Sequence, residues 1–252
     1  MLLELQDVTK RFGPVEALRD VHLRVDEAEA IGLIGDNGAG KSTLVKILSG
    51  VYAPSRGDIR LDGRPVSFAS PLAARASGIE MIYQDLELCE DLDVTSNVFL
   101  GRELRRRMGP FTVLDNRRMR KESVRILDEL RSMIDPRREV ASLSGGERQL
   151  VAAARALQFS PRIFLLDEPT AALSTEKIRT LLELVQQLKG RGVTVLLISH
   201  RFTDILHVCD RVVVMRQGRI AATVDTHAQP EAETITTMHG LMTGDLVQPG
   251  AV

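Results

Sequence analysis

The sequence predicts an α/β fold with three parts: a mainly parallel sheet, an N-terminal antiparallel β subdomain and an inserted helical subdomain. Three patterns lead to this expectation. Short, continuously apolar runs alternate with amphipathic helical stretches, as expected of parallel strands covered by helices on both faces. The opening residues instead alternate apolar and polar, the signature of half-buried strands. From about residue 85 to 142 the composition shifts, and a helical period dominates.

In chain order, residues 2–8 and 18–25 are the first strand candidates, the second with Val21, Leu23 and Val25 alternating with polar neighbours. Residues 30–35 are apolar throughout and run straight into a glycine-rich loop, after which residues 41–48 have helical character. Residues 59–66 carry Asp62-Gly63 between two apolar stretches, a strong hairpin signal. Residues 78–83 form another buried-strand candidate, ending at Gln84. In the inserted region, Met119, Ser123, Ile126, Leu127, Leu130 and Met133 recur at helical spacing from Asn116 onward. The alternation then resumes: helix 145–159, strand 162–167, helix 175–189, strand 193–199, and a hairpin through 211–215 and 219–224. The segment beyond Thr226 is polar, and its pattern specifies no element. These boundaries divide one domain into a β subdomain with the loop-bearing core (1–84), a helical subdomain (85–158), the rest of the core (159–225) and a tail (226–252).

Composition excludes more than it assigns. Hydrophobic residues make up 44% and charged residues 27% of the 252, which is ordinary for a globular domain. The 33 basic residues nearly balance 34 acidic ones, so overall charge gives no reason to invoke nucleic acid or anionic lipid. Cys89 and Cys209 are far apart and outside metal-ligand spacing, as reduced cytoplasmic cysteines would be. No apolar run approaches the roughly 18 residues of a membrane span, and the N-terminus lacks a cationic-then-apolar signal segment. The expectation is a cytoplasmic chain, for which another subunit would supply any membrane-spanning helices.

Three motifs carry chemistry. GDNGAGKS comprises Gly35, Asp36, Asn37, Gly38, Ala39, Gly40, Lys41 and Ser42, with Thr43 following. It matches the phosphate loop GxxxxGK[ST] between a strand and a helix, and so implies a P-loop NTPase core. Its glycines let backbone N–H groups turn toward phosphates at the positive end of the next helix. Lys41 is expected to reach the β- and γ-phosphates of ATP, and Ser42 to ligate Mg²⁺. IFLLDE, residues 163–168, is a buried strand delivering two acids at its end. Asp167 suits Mg²⁺, directly or through water, and Glu168 suits polarisation of the attacking water. LSGGE, residues 143–147, places Ser144 three residues before Glu147, a capping box that starts a helix and frees Gly145 and Gly146 to meet an anion.

With LSGGE shortly before the strand that ends in Asp167 and Glu168, the chain resembles the ATP-binding-cassette (ABC) transporter ATPases over nearly its whole length. The resemblance implies further roles. Phe12, in KRFG, stands where that family places an aromatic against adenine. Gln84, after GIEMIY, resembles the glutamine that contacts Mg²⁺ and water, and His200, closing VTVLLIS, resembles the histidine that bonds the γ-phosphate. Ser144, Gly145 and Gly146 would complete the phosphate site of a second subunit in a head-to-tail pair. One position departs from the family pattern: Ser174 stands where an Asp with cross-interface contacts is usual, while Glu168 is kept.

VTSNVFLGRE, LDNRRM, EPTAALS and LMTGD are similar to single-cassette bacterial importers of the fructose and ribose type. The resemblance implies ATP and Mg²⁺ as ligands and a likeness to subunits that pair as homodimers. It also implies an integral-membrane permease and a periplasmic or extracellular solute-binding protein as partners, at the cytoplasmic face of the inner membrane. The basic residues Arg102, Arg105, Arg106, Arg107, Arg117, Arg118, Arg120 and Lys121 suit a solvated surface or a permease contact. They suit nucleic acid less, because no aromatics are interleaved for base stacking. A soluble ATPase acting on DNA or ribosomes is the competing class. Its DNA-repair form needs a long coiled coil between phosphate loop and LSGGE, where only about a hundred residues lie. A small-molecule kinase would have no use for LSGGE.

Overall fold

The computed structural model of the chain describes residues 1–82, 88–158, 161–169 and 175–246. It opens with β1 (Leu3–Phe12), β2 (Val15–Val25), β3 (Ala30–Ile34), α1 (Lys41–Leu48), β4 (Arg56–Leu61), β5 (Arg64–Val66), α2 (Pro71–Ala76) and β6 (Ile79–Ile82). Then come α3 (Val94–Val98), β7 (Arg105–Met108), β8 (Phe111–Leu114), α4 (Asn116–Glu129) and α5 (Gly145–Leu157). The remainder is β9 (Ile163–Asp167), α6 (Thr175–Gly190), β10 (Thr194–Ile198), α7 (Phe202–Val208), β11 (Arg211–Arg216), β12 (Arg219–Asp225) and α8 (Glu231–Thr243).

Two sheets organise these elements. The N-terminal one is antiparallel, in the order β2-β1-β4-β5. Its β4–β5 turn is tight because Asp62 and Gly63 both take positive φ, 52° and 71°, which Asp-Gly tolerates well. The larger sheet runs β12-β11-β3-β10-β9-β6, parallel except for β12 at one edge. Successive residues of its strands face opposite cores, as the twofold period of a strand requires. Ala30, Ile34, Phe164, Leu166, Val195 and Leu197 join one core with the apolar faces of α4, α5 and α6. Ile31, Leu33, Ile163, Leu165, Leu196 and Ile198 join the other with α1 and the antiparallel sheet. At Gly32 an added Cβ would meet Ile205 at 2.5 Å, so the glycine is what lets α7 seat against β3.

Because β10 lies between β3 and β9, the C-terminal ends of three parallel strands stand side by side. Leu33 and Asp167 both register with Ile198. The chain therefore delivers the glycine-rich loop, the acid pair and His200 to one edge of the sheet, where open α/β sheets gather their ligands.

Three features differ from the pattern the sequence suggested. Helix α4 stops at Glu129 and does not carry Met133, which is fully exposed. Arg131 takes φ 52° there, while its N–H donates to Asp128 O and that of Ser132 donates to Leu127 O. Those two bonds close a Schellman turn that ends the helix. The basic segment of the insertion contains an antiparallel hairpin, β7–β8, amid the expected helices. The polar tail contains α8, whose Thr234, Met238 and Leu241 are buried and which packs on β11 and β12. Gln84 and Ser174 lie outside the described residues, as do Tyr83 and Phe159, where a strand and a helix were expected to end.

Candidate functional site: a phosphate loop beside a strand-end acid pair

The loop from Gly35 to Gly40 depends on glycine at two positions above all. Gly35, at φ 151°, would drive a Cβ to 2.3 Å from Met215 O, and Gly40, at φ 104°, would drive one to 2.7 Å from Ala17 O. Gly40 is also the N-cap of α1 and supplies no side-chain cap, so the first N–H groups of this helix are left to other acceptors. Lys41 follows, buried, with Nζ donating to Gly35 O at 2.6 Å and Asp36 O at 3.1 Å. Burial pushes its pKa down, while the charges of Glu168, Asp167 and Asp36 oppose that shift and favour the ammonium.

Asp167 ends β9, half-buried, and accepts a hydrogen bond from Ser42. Burial raises its pKa, and so does the charge of Glu168. The Ser42 hydroxyl and the ammonium groups of Lys46 and Lys41 work in the other direction. Glu168 takes φ 48°, a left-handed conformation that costs a non-glycine residue about 1 kcal/mol or more. Its N–H donates to Ile198 O at 3.0 Å, tying the turn to β10. Its carboxylate meets His200 Nε2 at 2.7 Å, and both side chains are partly exposed. The structure thus brings Lys41, Ser42, Asp167, Glu168 and His200 together from three neighbouring strand ends.

Phe12, at the end of β1, is 41% exposed. Tyr52 packs edge-on against it, centroids 5.1 Å apart and planes at 72°. The Lys10 ammonium sits 5.1 Å from the Phe12 centroid and 5.5 Å from that of Tyr52, and is anchored on Ala53 O at 2.7 Å. Of these residues only Phe12 is singled out by the family resemblance. Tyr52, four residues past the end of α1, and Lys10, two before Phe12 on its strand, carry no motif that would single them out. Lys46 joins the group 5.9 Å from the Tyr52 centroid and also acts on Asp167, linking the aromatic cluster to the acid pair.

Ser144 caps α5 in both directions: its Oγ accepts from Glu147 N at 3.3 Å, and its own N–H donates to Glu147 Oε2 at 2.7 Å. The backbone bond at Ser144 holds the Glu147 carboxyl below its ordinary value, helped by Arg138, which donates to Glu147 Oε1 at 2.9 Å. Ser144 and Gly145 are exposed. They stand on a helix that packs against α3, α4, α6 and β6, whereas α1 packs against β2 and β9. A cavity of about 590 Å³ lies elsewhere, on the antiparallel sheet near Glu4, His22 and Arg211, and includes no residue of these motifs.

The donor set suits a hard divalent cation. Ser42 and Asp167 offer a hydroxyl and a carboxylate already within bonding reach of each other. Magnesium characteristically takes one or two protein oxygens and completes its shell with phosphate and water.

A family model describing the ABC transporter matches residues 18–171. This chain belongs to the ABC transporter family. The cassette is 47% identical over 220 residues to the xylose/arabinose import ATP-binding protein XylG of Sulfolobus acidocaldarius, covering 87% of this chain and 86% of that protein. It is 42% identical over 237 residues to putative ribose/galactose/methyl galactoside import ATP-binding protein 2 of Burkholderia cenocepacia, covering 94% of this chain but 46% of that protein. The cassette thus spans about half the length of that second relative. Among solved structures it superposes on a dimeric, post-hydrolysis ATP-binding cassette bound to ADP and Pi, with TM-score 0.74 and 25% identity, over 90% of this chain and all of that one. Among the described residues no helix is long and apolar enough to cross a membrane.

Proposed function

We propose that this cassette is the ATP-hydrolysing subunit of an importer, energising monosaccharide uptake through a separate permease. The observation that carries the reading is the side-by-side delivery of Lys41, Asp167, Glu168 and His200 by β3, β9 and β10. The sugar assignment rests on the relatives, whose names specify xylose, arabinose, ribose and galactose import.

In this reading ATP lies across the start of α1. Gly35, Asp36, Asn37, Gly38, Ala39 and Gly40 curl the backbone around the phosphates, Thr43 continues the cradle, and Phe12 stacks on adenine, braced by Tyr52. Lys41 exchanges its two loop carbonyls for phosphate oxygens, which are stronger partners for an ammonium. Mg²⁺, held by Ser42 and Asp167 and, by resemblance, Gln84, would neutralise phosphate charge. Glu168 polarises the attacking water, and His200 holds that carboxylate before the γ-phosphate arrives and then turns to it. Ser144, Gly145 and Gly146 face the phosphates of a second copy, making the working unit a homodimer. In this reading residues 85–158 form a separate helical subdomain, which meets the permease at the cytoplasmic face of the membrane, and a solute-binding protein on the far side delivers the sugar.

The test is reconstitution. Turnover by the isolated subunit should be slow and should rise with its permease and sugar-loaded binding protein, and deletion should abolish growth on one or a few sugars of a panel. Stimulation by DNA with no effect of permease would overturn the transport reading and leave the ATPase.

A further inference from the structure

The hairpin in the insertion projects from the body. Met108 and Phe111 pair across a two-residue Gly109-Pro110 turn, with Gly109 at φ 63°, so the turn is tight. Its base is fixed, because Asp115 N donates to Leu104 O at 2.7 Å and Leu104 N contacts Met119 Sδ at 3.3 Å. Met119 is buried in the core. By the pairing register, Arg106, Met108, Phe111 and Val113 share one face, and Arg105, Arg107, Thr112 and Leu114 share the other.

Met108 is 59%, Phe111 70% and Leu114 47% exposed. Arg105, Arg106 and Arg107 are exposed beside them, and Arg117, Arg118 and Lys121 continue the positive charge along the first turns of α4. Among the described residues no carboxylate ion-pairs with Arg105, Arg106 or Arg107. Asp115 is engaged in capping Arg118 N at 3.1 Å, and Glu103, which accepts from Gly101 N at 3.0 Å, lies close enough for its charge to act on Arg105. An arginine cluster with an aromatic and a thioether at an exposed hairpin tip has the chemistry of a membrane interface: the cations meet anionic headgroups and the apolar tip enters below them. A purely acidic protein loop would satisfy the arginines but leave Met108 and Phe111 in water.

We propose that the β7–β8 hairpin is a docking surface for anionic phospholipid, seating this chain on the membrane independently of any partner protein. The full chain should co-sediment with vesicles of phosphatidylcholine plus phosphatidylglycerol and stay in the supernatant with phosphatidylcholine alone. Binding should weaken as salt is raised. The triple reversal Arg105→Glu, Arg106→Glu, Arg107→Glu should lower partitioning about a hundredfold, and Phe111→Ser with Met108→Ser severalfold. These side chains are exposed and away from the phosphate loop, so ATP affinity should stay at the wild-type level in every variant and serves as the folding control. Failure of the wild-type chain to bind the anionic vesicles would overturn the proposal, as would equal binding by the triple variant. Because Phe111 does stand between Arg107 and Arg117, contrary to the expectation of no interleaved aromatic, a parallel arm with duplex DNA at matched phosphate concentration decides the remaining case: tighter binding to DNA than to vesicles would also overturn the proposal. The vesicles contain no permease, so the outcome is independent of the transport reading.

Discussion

Two helices of this molecule begin at glycine-rich turns, and they begin differently. Helix α1 starts after Gly40, which provides no cap, and its Lys41 ammonium is turned back on the loop carbonyls. Helix α5 starts after Ser144, which closes a complete capping box with Glu147. Both N-termini carry the partial positive charge that attracts anions. At α1 the loop itself must provide most of an anion's coordination, and its backbone is shaped for that by two glycines that admit no Cβ. At α5 the cap has already organised the turn, leaving Ser144 and Gly145 presented on the surface. One helix start is left uncapped at a glycine loop, and the other is capped and presented at the surface.

Substitutions at the two ends should separate these roles. The largest effect is expected from Lys41→Ala, which removes an ammonium worth about 3 kcal/mol to phosphate, or roughly a hundredfold in ATP affinity. Equilibrium binding of a fluorescent ATP analogue measures this, and unchanged affinity would remove the loop from the account. Ser144→Ala should leave that monomer affinity alone and cost about 1 kcal/mol of stability through loss of the cap. Denaturant titration reads the stability, and a loss of monomer ATP affinity would contradict the contrast between the helices.

A subtler test addresses the frame that holds β3 in place. Asp210 is partly buried, which opposes ionisation, but Lys189 and the Ala30 N–H, at 2.9 Å, outweigh that and hold its pKa below the ordinary value. The folded chain therefore favours the ionised form. Its stabilisation is present above the unfolded carboxylate pKa and is lost as pH falls through the lowered folded value. Asp210→Asn should melt a few degrees lower at neutral pH, with the gap closing toward acid pH; a gap that widened would reverse the sign. The smallest perturbation is chemical. Cys89 is exposed, whereas Cys209 is buried and its thiol is pushed far up by that burial. Alkylation of the native chain should modify Cys89 quickly and Cys209 only on unfolding.

The phosphate loop, the acid pair and the capping box could be read directly from the sequence because each is local: a few adjacent residues specify both the backbone and its chemistry. The parallel sheet was equally legible, since runs such as 163–166 and 195–198 are apolar without interruption. The contact between His200 and Glu168 was not, because it joins the ends of two strands whose adjacency is a property of the sheet order. Only resemblance had singled out His200. The bracing of Phe12 by Tyr52 and Lys10 was hidden for the same reason. Hairpin β7–β8 escaped because its exposed faces leave no apolar alternation, and α8 because threonines stand on its buried stripe. Met133 continued a helical period that Arg131 ends by adopting a left-handed turn.

The central claim is that strand ends bring a general base, Glu168, to a nucleotide held by a separate loop, so binding and hydrolysis are separable. Glu168→Gln keeps the size and the hydrogen bond but loses the charge that polarises water. Light scattering and single-turnover hydrolysis of this variant, with and without ATP, test the claim most directly. The account predicts near wild-type ATP affinity, hydrolysis slowed by about a hundredfold or more, and an ATP-dependent shift from monomer to a stable dimer. Normal hydrolysis by the variant, or a chain that stays monomeric with ATP bound, would contradict it.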